Sequence, residues 1–175
     1  MLAAICIPEF SGPDLAWLQD LRARYDPEYA LRVAPHVTVV FPNSALGEEP
    51  FLAHIADCAR DIEAVTVTFS SAREYREPGT KLEFVFLIPE IGKDWFLRAH
   101  DRMNGGPLAT ERRNDIPYVP HITLARFASC GEAAPLTARI NSEIRPMTGR
   151  IEAIDVVQVD KTHIRHLHRE PLGRD

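Results

Sequence analysis

Continuous apolar runs alternate with amphipathic stretches along most of this chain. Leu2–Ile7 is unbroken and apolar, which predicts a buried strand. Leu15, Leu18 and Leu21 then recur at helical spacing. Ser11 stands before them as a cap, with Pro13 and Asp14 in the first turn, so the pattern predicts a helix over about 13–24. A short strand over about 37–41 follows. Phe51, Ile55 and Ile62 mark a second helix over about 48–62. Val65, Val67 and Phe69 alternate with Thr66, Thr68 and Ser70, the signature of a half-buried strand, and Pro78-Gly79 turns the chain.

The second half repeats that order. Leu82–Ile88 is almost wholly apolar and reads as a strand covered on both faces. Trp95, Phe96 and Met103 lie on a helix over about 91–103, a strand is expected over about 118–127, and Leu136, Ile140 and Ile144 mark another helix. Strands are expected over 151–159 and 164–169. Strand, helix, strand, helix, strand thus occurs twice, without a residue-level repeat. The expectation is one domain over 1–175 with pseudo-symmetric halves of about 1–79 and 80–175.

The central strand of each half carries the same short string. Pro35-His36-Val37-Thr38-Val39 matches Pro120-His121-Ile122-Thr123-Leu124. Residues i and i+2 of a strand share a face, so each string sets an imidazole beside a hydroxyl while Val37/Val39 and Ile122/Leu124 anchor the core. Two histidines facing each other across a cleft suit acid–base chemistry at phosphorus. An imidazole near its free pKa of about 6.5 can give or take a proton near neutrality. Threonine hydroxyls can donate to a phosphoryl oxygen that gains charge. A single His-x-Thr is more often a core histidine on a strand; the pair is what points to chemistry.

Composition narrows the partners. The 175 residues carry a formal net charge of −5, which argues against tight binding of long nucleic acid, including duplex DNA, but not of a small phosphorylated ligand held by local cations. Cys6, Cys58 and Cys130 are odd in number and far apart, as expected of reduced thiols in a cytoplasmic protein. The N-terminal apolar run is too short, and lacks the basic flank, for a signal peptide; no run has membrane-spanning length. No metal, cofactor or membrane partner is expected, and a monomer is.

The two strings, their spacing and the twofold element order resemble the 2H phosphoesterase superfamily, which includes bacterial 2′-5′ RNA ligases and 2′,3′-cyclic nucleotide phosphodiesterases. The string from His121 to Arg126 is close to the RNA-ligase form. The first string departs from it at Val40-Phe41-Pro42-Asn43, where the ligases have an apolar pair and a glycine. The resemblance implies an α/β (α+β) bilobal fold in which two antiparallel sheets line a central cleft and helices lie outside. It implies a metal-independent enzyme acting on a 2′,3′-cyclic phosphate or 2′-5′ diester of a nucleotide or short RNA, with one His as base and the other as acid. Reversible 2′-5′ ligation and non-catalytic nucleotide binding are the rival readings. It also implies that Arg126 contacts phosphate. Strict alternation would turn Arg126 away from His121 and Thr123, so that role requires a bulge or the strand's end.

Other candidates rest on position. The long connection between Met103 and Tyr118 carries Arg112 and Arg113, which could reach the cleft mouth as a lid or binding loop. Phe41 and Tyr118, like Phe127, could stack on a base. His163, His166 and His168 lack the spacing of a metal site and read as an exposed terminal strand. His54 and His100 read as surface or boundary residues of helices.

Overall fold

A computed structural model describes residues 1–112 and 117–173. The elements run β1 (Leu2–Cys6), β2 (Glu9–Phe10), α1 (Gly12–Tyr25), α2 (Pro27–Ala30), β3 (Val37–Asn43), α3 (Glu48–Ala59), β4 (Val65–Arg76), β5 (Glu83–Ile91), α4 (Lys93–Met103), β6 (Ile122–Phe127), α5 (Ala133–Glu143), β7 (Met147–Ile151), β8 (Ala153–Val159) and β9 (Ile164–Pro171). They build two antiparallel sheets. One has the order β3-β1-β8-β9 and the other β2-β7-β4-β5-β6. Helices α3 and α4 pack beside the first sheet, and α1 and α5 beside the second.

Each sheet draws strands from both sequence halves. β4 ends the first half and pairs with β5 through the Pro78-Gly79 hairpin, while β8 from the second half pairs with β1. A short antiparallel hairpin keeps its two strands side by side, so a boundary near residue 79 falls inside one sheet. One core connects the lobes: Phe51, Phe69, Phe96, Leu124 and Ile151 are fully buried within it.

Both motif strands are edge strands, β3 of the first sheet and β6 of the second. The outer edge of β3 is covered rather than left open. The Tyr118 hydroxyl donates to Thr38 O at 2.8 Å, and His100 Nδ1 and Asn104 Nδ2 approach Val39 O at 2.8 and 2.9 Å. These bonds tie the second half of the chain to β3.

Each motif strand is also bulged just after its threonine. Opposite β1, the register jumps from Ile5↔Thr38 to Ala4↔Val40; opposite β5 it jumps from Phe86↔Thr123 to Val85↔Ala125. Two successive residues, Val39-Val40 and Leu124-Ala125, are therefore buried together. Alternation restarts one residue late, and Phe41 and Arg126 emerge on the faces that bear Thr38 and Thr123.

Several sequence expectations need correction. The strand expected over 151–159 is two strands: Glu152 is exposed between β7 and β8, which belong to different sheets. The strand expected from residue 118 begins at Ile122, because Tyr118 is committed to its bond with β3. The helix expected to reach residue 62 stops at Ala59. The connection after Met103 starts with a 3-10 turn, Gly106–Glu111, that buries Leu108 completely, so this part of it is packed. Buried His100 lies against Tyr118 and is no surface residue. None of the described helices is long and apolar enough to cross a membrane.

Candidate active site

His36 and His121 each sit one residue before an edge strand and are held in the same way. The His36 Nδ1–H donates to Ala34 O at 2.8 Å, and the His121 Nδ1–H donates to Val119 O at 2.7 Å. A carbonyl can only accept, so the bond fixes the tautomer and leaves each Nε2 bare when the ring is neutral. The buried prolines Pro35 and Pro120 stiffen the backbone between each carbonyl and its ring.

The two strands bring their side chains to one cavity of about 260 Å³, lined by His36, Thr38, Phe41, His121, Thr123 and Arg126 among others. Ala3, Ile5, Val33, Val157 and Ile164 give it an apolar floor. Burial pushes both imidazoles down to about 4. The Arg22 guanidinium adds to the effect on His36, and His36 itself adds to the effect on His121. Both rings are therefore neutral at pH 7. An anion between them would favour protonation of one.

Arg126 reaches the cavity as the bulge requires. Its guanidinium lies 4.0 Å over the Tyr29 ring and 5.2 Å from that of Phe84, and Nε stands 3.6 Å from Asp26 Oδ1. Nε is buried without a hydrogen-bond partner among the described residues.

The sequence reading missed the group that cradles it. Arg22 and Asp26 are 3% and 4% exposed, and with Tyr29 they line the cavity. Arg22 donates to Val33 O at 2.9 Å, so it also braces the segment that leads to His36. A signal was present: Arg22 falls one turn after Leu18 on the inward stripe of α1, and Asp26 one turn later.

A second cavity of about 280 Å³ adjoins the first and shares Phe41, His121 and Thr123 with it. Tyr75, Phe84, Phe86 and Tyr118 line it, with Glu77 and His100. Phe86 stacks on the His121 ring at 3.5 Å between centroids, and Tyr75 stacks on Phe86 at 5.1 Å. His100 stacks on Tyr118 at 3.8 Å. Phe41 and Tyr118 thus meet in an aromatic wall. Phe127 does not join it and packs near Tyr25 instead.

The remaining candidates lie elsewhere. Arg112 lines neither cavity; Asp101 Oδ1 holds its guanidinium at 2.6 Å. Arg113 lies outside the described residues. On exposed β9, His166 pairs with Asp155 at 2.7 Å and His168 with Glu170 at 3.0 Å; His163, just before β9, bonds Thr162 at 2.7 Å. Among the described residues no group of three or more His, Cys, Asp or Glu could hold a metal ion.

Comparison with known proteins agrees with this layout. A family model described as the 2′-5′ RNA ligase superfamily matches residues 10–163. A Bacillus cytotoxicus protein named "Putative phosphoesterase" is 32% identical over 123 residues, 69% of this chain and 67% of that protein. A Bacillus cereus protein of the same description is 31% identical over the same shares. Among solved structures, E. coli LigT complexed with 3′-AMP superposes with a TM-score of 0.62 at 18% identity, covering 98% of this chain and 97% of that one. Kluyveromyces marxianus Usb1 with uridine monophosphate gives 0.54 at 12% identity, covering 98% of both chains. At these identities the structural matches establish the fold.

Proposed function

The chain belongs to the 2′-5′ RNA ligase superfamily, and from that premise we propose a phosphoesterase that opens a 2′,3′-cyclic phosphate, or cleaves a 2′-5′ diester, by two-histidine acid–base catalysis. One observation carries the reading: matched Nδ1–carbonyl bonds free the Nε2 atoms of both histidines that line one cavity. The nucleotides named with LigT and Usb1 are consistent with a nucleotide or RNA end as substrate.

The phosphate sits between His36 and His121. Neutral Nε2 of one ring takes a proton from water as the water oxygen bonds to phosphorus. The P–O bond to the ribose leaving oxygen breaks in line, and Nε2–H of the other ring protonates that oxygen. The base ends protonated and the acid neutral, so proton exchange with solvent restores the pair. Thr38, Thr123 and Arg126 donate to the phosphoryl oxygens as charge builds there. The aromatic cavity takes the base, with Phe41 and Tyr118 among its walls.

Two histidines, two threonines and an arginine leave no step for a divalent ion, and the phosphate fills the space between the rings. The test is a screen of 2′,3′-cyclic nucleotides, cyclic-phosphate RNA ends and 2′-5′ dinucleotides in excess chelator. Turnover undiminished by chelator supports the reading. Loss of activity that a divalent ion restores would overturn the mechanism, and binding without turnover would make the protein a nucleotide-binding module.

A further inference from the structure

We propose that the aromatic cavity selects guanine, and that Glu77 is the residue that selects it. This inference rests on the function proposed above. The cavity shares His121 and Thr123 with the phosphate cavity, so a base seated there stays joined to a phosphate between the imidazoles. Its walls stack on any base and cannot choose among them. Choice must come from its polar groups, and most of these are already committed. The Tyr118 hydroxyl donates to Thr38 O, and the His121 Nδ1–H to Val119 O. His100 Nδ1 faces Val39 O, which makes it the protonated nitrogen and leaves Nε2 an acceptor.

What remains is dominated by acceptors, and the Glu77 carboxylate is the strongest of them. Glu77 stands where β4 runs into the hairpin turn, its N–H closing the turn on Leu82 O at 3.1 Å. Its only side-chain partner among the described residues is the Thr80 hydroxyl, at a long 3.4 Å from Oε2. Among the described residues nothing else occupies the carboxylate, which leaves it able to accept from a ligand.

A carboxylate on a half-buried residue that lines an aromatic slot matches a base edge with two adjacent N–H donors. Guanine offers N1–H and the 2-amino group side by side. Adenine and cytosine offer one amino group beside a bare ring nitrogen. Uracil sets a carbonyl on each side of its single N–H and would face Glu77 with lone pairs. The expected order is guanine first and uracil last.

The experiment compares kcat/KM for the 2′,3′-cyclic monophosphates of guanosine, inosine, adenosine, cytidine and uridine, with wild type and Glu77→Gln. Calorimetric binding of the 3′-monophosphates of guanosine and uridine serves as a readout independent of turnover. Wild type should favour guanosine over uridine by about 10- to 100-fold, with inosine, which lacks the 2-amino group, in between. Glu77→Gln replaces one acceptor with a donor and should collapse the preference while uridine turnover holds or rises. Equal kcat/KM for all five nucleotides would overturn the guanine choice and leave the phosphoesterase reading standing. A guanosine preference unchanged in Glu77→Gln would overturn the role of Glu77. Failure to bind or turn over any of the nucleotides would overturn this inference; the reading beneath it falls only if cyclic-phosphate RNA ends and 2′-5′ dinucleotides are not turned over either.

Discussion

On β3 the residue that emerges beyond the bulge is Phe41; on β6 it is Arg126. Up to that point the strands are alike. Each has a buried proline, a histidine bonded through Nδ1 to the carbonyl two residues before it, a threonine two residues after, and two consecutive buried residues at the bulge. One backbone device thus presents two different side chains to one cleft. Phe41 extends the aromatic wall, and Arg126 lies over Tyr29 beside Asp26. The duplicated part supplies symmetric acid–base machinery, and the divergent position makes one side of the cleft suited to a flat base and the other to an anion.

The largest expected effects test the symmetric part. His36→Ala and His121→Ala should each lower kcat by at least about 100-fold, the low end for a positioned acid or base. The double variant should be hardly slower than either single one, because the rings act as a unit. Steady-state kinetics on whichever substrate the screen identifies decides this; near-normal turnover in either single variant would break the symmetry of roles.

The divergent position should split the kinetic constants. Arg126→Ala removes a charged donor to the reacting phosphate and should lower kcat/KM by about 100- to 1,000-fold, mostly through kcat. Phe41→Ala removes one stacking surface and should raise KM by about 10-fold with kcat nearly unchanged. The same change in KM and kcat for both variants would remove the division of labour.

How much of this a reader of the sequence can see follows from how local each feature is. The histidines, the threonines and the order of elements are visible because each is written in a few consecutive residues. Counting along the strand also shows that Arg126 needs either a bulge or the strand's end to face the cleft; only the register of β6 against β5 shows that it is a bulge. The cradle of Arg22, Asp26 and Tyr29 was hidden because it forms where α1 and α2 meet β6, far away in sequence. The aromatic cavity was hidden likewise, since Tyr75, Phe84 and Phe86 meet Phe41 and Tyr118 only after the sheets assemble. Glu152 looked like a polar interruption within one strand, yet it is where the chain leaves one sheet for the other.

A smaller effect concerns stability. Both imidazoles titrate near 4 in the folded protein and near 6.5 when unfolded, so the unfolded chain binds more protons between those values. Stability should be full above about pH 6.5 and fall as the pH drops toward 4. Urea melts of wild type and of the double His36→Gln/His121→Gln variant should show a shallower fall in the variant. Parallel curves would mean that the rings are not desolvated in the fold.

The central claim is that the two imidazoles share one phosphate. Histidine-resolved NMR during a titration with inorganic phosphate, in excess chelator, addresses it most directly. His36 and His121 should respond together, with one dissociation constant and a stoichiometry of one, and one of the two rings should move from a pKa of about 4 toward or above its ordinary value of about 6.5. A response confined to one ring, or two responses with separate dissociation constants, would contradict the account.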